Sequence, residues 1–331
     1  MKLVSYKTED KEHLGIFVNG HIYNLNSCHK LIPDDMNAFL AGGEPLMERA
    51  KQVNRDILDG KLQPKEEVFY ELLAPVPHPT SCRDGYAFRQ HVAAARRNRK
   101  VDMIAEFDQY PIFYFTNHNA IQGPGEIECM PDHFQKLDFE LEVAVVIGKK
   151  GRNIKAAEAD EYIAGYTIMN DMSARTLQME EMLLNLGPAK GKDFSTVIGP
   201  WLVTPDELEP YKVAAKENHV GNAYNLSMTC KVNGIEVSSG NMADMDWTFA
   251  EIIERCAYGV DILPGDVIGS GTVGTGCFLE LNGTGLLNNP NYQVQWLQPG
   301  DHVEMEITGL GALSNNITKA ATDFSILALK K

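Results

Sequence analysis

Apolar and polar positions first fall into a clear pattern in LGIFV and HIYNL, two β-rich runs on either side of Asn19-Gly20. Both residues tolerate positive φ, so the pair predicts a type I′ turn and a hairpin. A helical pattern follows over 35–59, with Gly60 placed to stop it. Next comes LLAPVPHPT, in which Pro75, Pro77 and Pro79 impose a stiff extended connector. The connector predicts a boundary between a small N-terminal α/β domain, 1–74, and a larger domain, 75–331. Past it, strand-like runs dominate. DFELEVAVVIG reads as a strand whose second half is buried on both faces. AAEADEYIAG reads as helix, and YTIMND as a strand leading into a helix around SARTLQMEEMLLNL. CKVNGIEV is a second Asn-Gly hairpin, CFLEL is strand-like, and PGDHVEMEI is a late strand. Strands outnumber helices without regular β-α alternation, which argues against doubly wound and TIM-type folds. The expected class is α+β, mainly β.

Charge and cysteine usage narrow the function classes. A formal net charge of −15 over 331 residues argues against a general nucleic-acid binder, because a phosphate backbone needs a cationic face. It leaves room for a small anionic substrate held by a few buried cations. No run of about 18 apolar residues suggests a membrane span, and MKLVSYKTEDKEHLG lacks the apolar stretch of a secretory signal. The cysteines at 28, 82, 129, 230, 256 and 277 contain no CxxC pair. Such scatter fits neither a zinc site nor a disulfide framework and predicts a reducing, cytoplasmic setting.

Three clusters carry candidate chemistry. In Asp138-Phe139-Glu140-Leu141-Glu142, side chains two apart share a strand face, so Glu140 and Glu142 lie side by side. An ExE pair is most often a solvated face, but here it runs straight into the buried Val143–Ile147 stretch. That context favours hard oxygen ligands for Mg²⁺, Mn²⁺ or Ca²⁺. Arg83-Asp84-Gly85-Tyr86-Ala87-Phe88-Arg89-Gln90-His91 follows the connector; Asp84 could be a helix N-cap or a ligand, with His91 two turns on. The third cluster runs from Asn170-Asp171 through Arg175 and Gln178 to Lys192. Arg175, Gln178 and Met182 share one helical face, whereas Lys192 sits in a Gly-Pro loop where exposure is the default. Gly269-Ser270-Gly271-Thr272-Val273-Gly274 matches GxGxxG literally, but the strand-like CFLEL after it argues against a dinucleotide site.

With these clusters in order, the chain resembles the fumarylacetoacetate hydrolase family. The resemblance rests on RDGYAFRQH, FELEV, NDMSARTLQ, GPAKGKDF, GSGTVGTGCFLEL and PGDHVEMEITGLG, and it spans Ser81 to the C-terminus. It implies a mixed β-sandwich roll and a divalent metal held by Asp84, Glu140, Glu142 and Asp171. It makes His91 the general base, oriented by Glu280, and gives oxyanion stabilisation to Arg175, Gln178 and Lys192. Tyr86 and Tyr114 match carboxylate-contacting tyrosines, and Thr272 matches a turn residue facing the substrate. Lys192 and Thr196 lie where the family can hold a second cation. Which of Arg96, Arg97 and Arg99, if any, takes the place of the family's substrate-clamping arginine stays open at this point.

The implied reaction is hydrolysis of a carbon–carbon bond in a β-diketo acid, fumarylacetoacetate first, by a homodimer. Acylpyruvate hydrolysis and oxaloacetate decarboxylation or tautomerisation are alternatives within the family. Acylpyruvases usually carry a glutamate three residues after the histidine, and here that place is Ala94. A non-catalytic metal- and dicarboxylate-binding protein is the alternative of another class.

Overall fold

The hairpin forms where the apolar pattern puts it. In the computed structural model, which describes residues 1–9 and 11–331, β1 (Lys2–Thr8), β2 (Lys11–Val18) and β3 (His21–Asn24) make an antiparallel ribbon. Asn19 and Gly20 both take positive φ, at 51° and 89°, as a type I′ turn requires. The helix expected over 35–59 is two helices, α1 (Met36–Ala41) and α2 (Gly43–Leu58). Gly43 enters the second at φ +62°, and that left-handed residue breaks the helical path. Asp35 caps the first by accepting from the Ala38 N–H at 2.8 Å.

The rest of the chain supplies β4 (Cys82–Gly85), α3 (Arg89–Asn98), β5 (Phe113–Thr116), β6 (Gly125–Cys129) and β7 (Leu141–Ile147). These are followed by β8 (Ile163–Asp171), α4 (Arg175–Met182), β9 (Thr196–Val203), β10 (Ser227–Val232) and β11 (Ile235–Asn241). Last come α5 (Phe249–Ala257), β12 (Val267–Gly269), α6 (Phe278–Asn288), β13 (His302–Ile307) and β14 (Gly311–Lys319). One large sheet runs β3-β2-β1-β9-β8-β7-β12-β4-β5, so the N-terminal ribbon extends the sheet of the larger segment through β1 and β9. A second sheet runs β11-β10-β13-β14-β6. The fold is a mixed α+β architecture built on these two sheets. Leu141, Val143, Val145 and Ile147 of β7 enter the principal core with Met228, Met305 and Leu313 of the second sheet. Ala144 and Val146, on the opposite face, pack in a separate core with Leu3, Leu14 and Phe39. Burial of each large aliphatic side chain contributes about 1.5–3 kcal/mol.

Several local expectations change. AAEADEYIAG is helical only over Ala156–Ala159 and a short 3₁₀ turn, because β8 begins at Ile163. Ser173-Ala174 pairs with Leu137-Asp138 instead of starting a helix, and α4 ends at Met182, leaving Leu183, Leu184 and Leu186 exposed. CFLEL is not a strand. Residues 278–288 form α6, whose first N–H groups, from Phe278 and Leu279, donate to the distant Asp138 carboxylate at 2.7 and 2.9 Å. A local F-L-E-L alternation has period two, but this long-range cap decides for helix.

A helix therefore does follow the glycine run, and the ground for rejecting a dinucleotide site falls. A better ground replaces it. The N–H groups that would face a pyrophosphate are committed to protein carboxylates: Gly271 to Asp84 and Glu142, Thr275 to Glu280, and the helix start to Asp138.

Candidate active site

The central strands of the large sheet bring their acidic residues to one end. Register pairs Asp171 of β8 with Thr196 of β9, Glu142 of β7 with Met169 of β8, and Asp84 of β4 with Gly269 of β12. Asp84 is thus a strand residue and no helix cap; α3 begins after Phe88 without a side-chain cap. Carboxylate oxygens of Asp84, Glu140 and Glu142 lie within 4.8 Å of one another, all buried. Two glycines allow the approach. A Cβ on Gly269 would stand 2.5 Å from Asp84 Oδ1 and 3.0 Å from Glu142 Oε2. Gly271, at φ +79°, turns its N–H onto the same two carboxylates at 3.0 and 3.1 Å.

Two buried cations share this cluster. Lys192 is only 4% exposed, contrary to the default for its loop, and its Nζ donates to Asp171 Oδ2 at 2.8 Å and to Glu140 Oε2. Arg175 donates to Glu140 Oε1 at 2.8 Å, to Asp138 Oδ2 at 2.9 Å and to Gln178 Oε1 at 3.0 Å. Of the residues expected to stabilise an oxyanion, Lys192 and Arg175 are here bonded to the acidic cluster and Gln178 to Arg175. Burial alone would raise the Glu140 carboxyl, but Lys192, Arg175 and His91 overcome it and hold it at about 2. Among the described residues Asp84 bonds neither cation, and Lys192 acts on it only from a distance. Burial, reinforced by Asp171, pushes its carboxyl up to about 7, and burial with Asp84 and Glu140 nearby raises Glu142 well above its ordinary value. Asp171 is also raised by burial, against the pull of Lys192.

These are the properties of a cation cage. Two carboxylates that resist ionisation side by side need a positive charge between them. Asp171 Oδ1 is buried with no hydrogen-bond partner among the described residues, a free ligand atom beside the other three acids. The donor set is all oxygen, so it fits a hard divalent cation. Asp84, Glu140, Glu142 and Asp171 could hold it.

His91, on α3, faces the cluster from the other side. Its Nδ1 lies 2.6 Å from Glu280 Oε2 on α6, and both side chains are buried. With Glu280 as acceptor, Nδ1 carries the shared proton, and the neutral form of the ring then has its lone pair on Nε2. Glu280 is itself fixed by the Thr275 N–H at 3.0 Å.

The remaining expected residues fall around this core. Tyr86 packs edge-on against His91 with ring centroids 5.9 Å apart. The Tyr114 hydroxyl donates to Asp171 Oδ2. The Thr272 hydroxyl lies 3.4 Å from Glu142 Oε1. Beyond Tyr86 opens a cavity of about 260 Å³, lined by Arg96, Arg99, Ile104, Phe107 and Trp247. Arg97 does not line it and instead bonds Thr284 Oγ1 on α6 at 3.0 Å.

Sequence reasoning gave Asp138 no role. Its fully buried carboxylate joins Arg175 to the N-terminus of α6. Burial pushes this carboxyl up, and Arg175 and the helix N–H groups pull against that rise. The available signal was spacing: Asp138, Glu140 and Glu142 are three acids on one alternating face.

A buried acid cluster beside a His–Glu pair, with a cavity on the far side of Tyr86, is the arrangement of an enzyme that acts on a small molecule. Residues 80–318 match the model described as fumarylacetoacetate (FAA) hydrolase C-terminal, and the chain belongs to the fumarylacetoacetate hydrolase family. It is 32% identical over 329 residues to the human protein named oxaloacetate tautomerase FAHD2A, mitochondrial, covering 96% of this chain and 91% of that one. A Dictyostelium discoideum protein, fumarylacetoacetate hydrolase domain-containing protein 2 homolog, is 29% identical over 323 residues, covering 96% and 97%. The fold is shared with maleylpyruvate hydrolase from Sphingobium sp. SYK-6, solved with manganese(II) and pyruvate. That match has a TM-score of 0.69 at 18% identity, over 97% of this chain and 100% of that one. No helix among the described residues is long and apolar enough to cross a membrane.

Proposed function

We propose that this chain is a divalent-metal-dependent acid–base enzyme that interconverts the keto and enol forms of oxaloacetate or a closely related 2-oxo diacid. The observation that carries this reading is the His91–Glu280 pair, 2.6 Å apart and buried, beside the clustered carboxylates of Asp84, Glu140 and Glu142, with Asp171 joined to Glu140 through Lys192. The near full-length similarity to oxaloacetate tautomerases supports it, and moves this reaction ahead of fumarylacetoacetate hydrolysis.

A hard cation in the cage would supply Lewis-acid polarisation of the substrate carbonyl and stabilise enolate charge. The chain's own residues do the rest. His91 Nε2 takes a proton from the carbon between the carbonyl and the far carboxylate, and Glu280 stabilises the imidazolium at Nδ1. The same proton returns to the enolate oxygen, so no group leaves and no water is consumed. Lys192 and Arg175 keep Glu140 ionised and therefore keep the cage anionic. Lys192 also places a fixed cation between Glu140 and Asp171, next to Thr196, where a second metal would otherwise sit. Arg96 and Arg99 line the cavity beyond Tyr86 and suit the far carboxylate, and Gln178, Tyr114 and Thr272 hold Arg175, Asp171 and Glu142.

Hydrolysis of a β-diketo acid such as fumarylacetoacetate is the second reading. The same His91 Nε2 could deprotonate water, and the 260 Å³ cavity has room for an acyl tail. Ala94, where acylpyruvases carry glutamate, leaves Glu280 as the acid that orients His91.

The deciding assay follows the ultraviolet absorbance of enol-oxaloacetate, with fumarylacetoacetate, fumarylpyruvate and acetylpyruvate in parallel, with and without EDTA. Chelator-sensitive tautomerisation that disappears in His91→Ala, with no diketo acid cleaved, is the expected result. Cleavage of fumarylacetoacetate with no acceleration of oxaloacetate ketonisation sinks the main reading in favour of the second.

A further inference from the structure

A second donor set lies beside the hard-cation cage and has a different chemical character. A ring nitrogen of His91, a carboxylate oxygen of Glu140 and Cys277 Sγ lie within 4.8 Å of one another, all buried. They come from three separate parts of the chain: α3, the residue entering β7, and the residue preceding α6. No spacing rule on the sequence brings them together, which is why scattered cysteines argued against a zinc site there.

We propose that His91, Glu140 and Cys277 form an inhibitory site for a thiophilic divalent cation, zinc in the first instance. Nitrogen, oxygen and thiolate sulfur are the donors zinc accepts, and three protein ligands leave its fourth position open. Mg²⁺ and Ca²⁺ disfavour sulfur, so a hard cation meets this set only at the shared Glu140. The outer contacts also suit zinc. A zinc-bound histidine typically donates its other ring N–H to a carboxylate, and His91 Nδ1 already meets Glu280 Oε2 at 2.6 Å. Nε2 is then the free ligand atom.

Glu140 spends one contact per oxygen on Arg175 and Lys192, and each carboxylate oxygen retains a second lone pair. As the Zn–S bond forms, the Cys277 thiol proton passes to solvent. The neighbourhood is rich in acids: Glu140, Asp138 and Asp171 bond Arg175 and Lys192, and Asp84, Glu142 and Glu280 bond neither cation among the described residues. A metal on Nε2 removes the lone pair that takes the substrate proton. Zinc would therefore switch off the same enzyme that a hard cation switches on. The inhibitory part of this inference rests on the proposed role of His91 as base; the binding part does not.

The experiment keeps the two apart. The Mg²⁺-loaded protein is titrated with Co²⁺, a spectroscopic stand-in for zinc, while near-ultraviolet sulfur-to-cobalt charge-transfer absorption is recorded. Zinc inhibition of oxaloacetate tautomerisation is measured in parallel. The wild type should develop the band, and Cys277→Ser and Cys277→Ala should lose it. Both variants should retain Mg²⁺-supported turnover and need at least about tenfold more zinc for half inhibition. If one variant fails to fold, the other carries the comparison. Absence of the band in the wild type, or equal zinc sensitivity in the variants, overturns the site. A normal band in a protein that does not turn over oxaloacetate upholds the site and removes only the reaction.

Discussion

Replacing Asp138 by alanine tests the physical link between the two halves of the active site. The carboxylate is fully buried and serves four partners: Arg175 Nε at 2.9 Å, the α6 N–H groups of Phe278 and Leu279 at 2.7 and 2.9 Å, and the neighbouring Phe139 N–H at 3.0 Å. Its removal leaves Arg175 without one of its two buried acids and leaves two helix N–H groups unpaired. Breaking a buried ion pair costs about 3–5 kcal/mol, and each orphaned buried donor about 1–3 kcal/mol more. These costs overlap, so the expected loss lies toward the upper end of the ion-pair range. Asp138→Asn, which keeps one accepting oxygen for the helix, should lose less. Urea unfolding at fixed Mg²⁺ reads this as a lower midpoint at unchanged slope. Because α6 carries Glu280, kcat should fall in both variants with KM little changed. A midpoint shift in Asp138→Ala worth less than about 1 kcal/mol would refute the reasoning, since the helix cap would then be dispensable.

Three further outcomes follow from the same geometry. Glu280→Gln should lower kcat by about 100-fold or more with little change in KM, because a mispositioned base fails in the transition state; a rise in KM alone would place Glu280 against substrate instead. Glu142→Gln should weaken divalent-metal binding at least about tenfold by equilibrium dialysis, and a fully metallated but inactive variant would remove Glu142 from the cage. With chelator present, thermal stability should fall as pH rises from about 4 to about 7. In that window the Asp84 carboxyl, raised from 3.8 to about 7, keeps its proton when folded and releases it when unfolded. Stability from this group is therefore present at low pH and lost through the folded value. Added Mg²⁺ should reverse the loss at pH 8, and equal melting temperatures with and without metal there would contradict the cage.

Elements whose cause is local could be read directly. Asn19-Gly20 specifies its hairpin through backbone conformation alone, and the Val143–Ile147 run announces a strand buried on both faces. Elements decided by distant partners could not. Phe278-Leu279-Glu280-Leu281 alternates like a strand and is helical because a carboxylate 140 positions earlier in the chain caps it. The helix over 35–59 needed only one left-handed residue, Gly43, to become two, and a glycine tolerated within a helix looks the same on paper.

The site divides along the same line. Glu140 and Glu142 were legible because strand alternation places both on one face, and the motif order pointed to Asp84, Asp171, His91 and Glu280. Lys192 defied its loop: the exposure expected of Gly-Pro-Ala-Lys-Gly-Lys is overturned by two buried carboxylates, Glu140 and Asp171, that require a counter-charge. Cys277 is the sharper case. Taken as a spacing, it is a lone cysteine with no CxxC partner; taken in space, it stands next to Glu140 and His91. One glutamate thus joins an oxygen-only donor set to a mixed sulfur–nitrogen–oxygen set. On the two proposals made above, the cation that reaches Glu140 would decide whether His91 Nε2 is free to move a proton or is held on a metal.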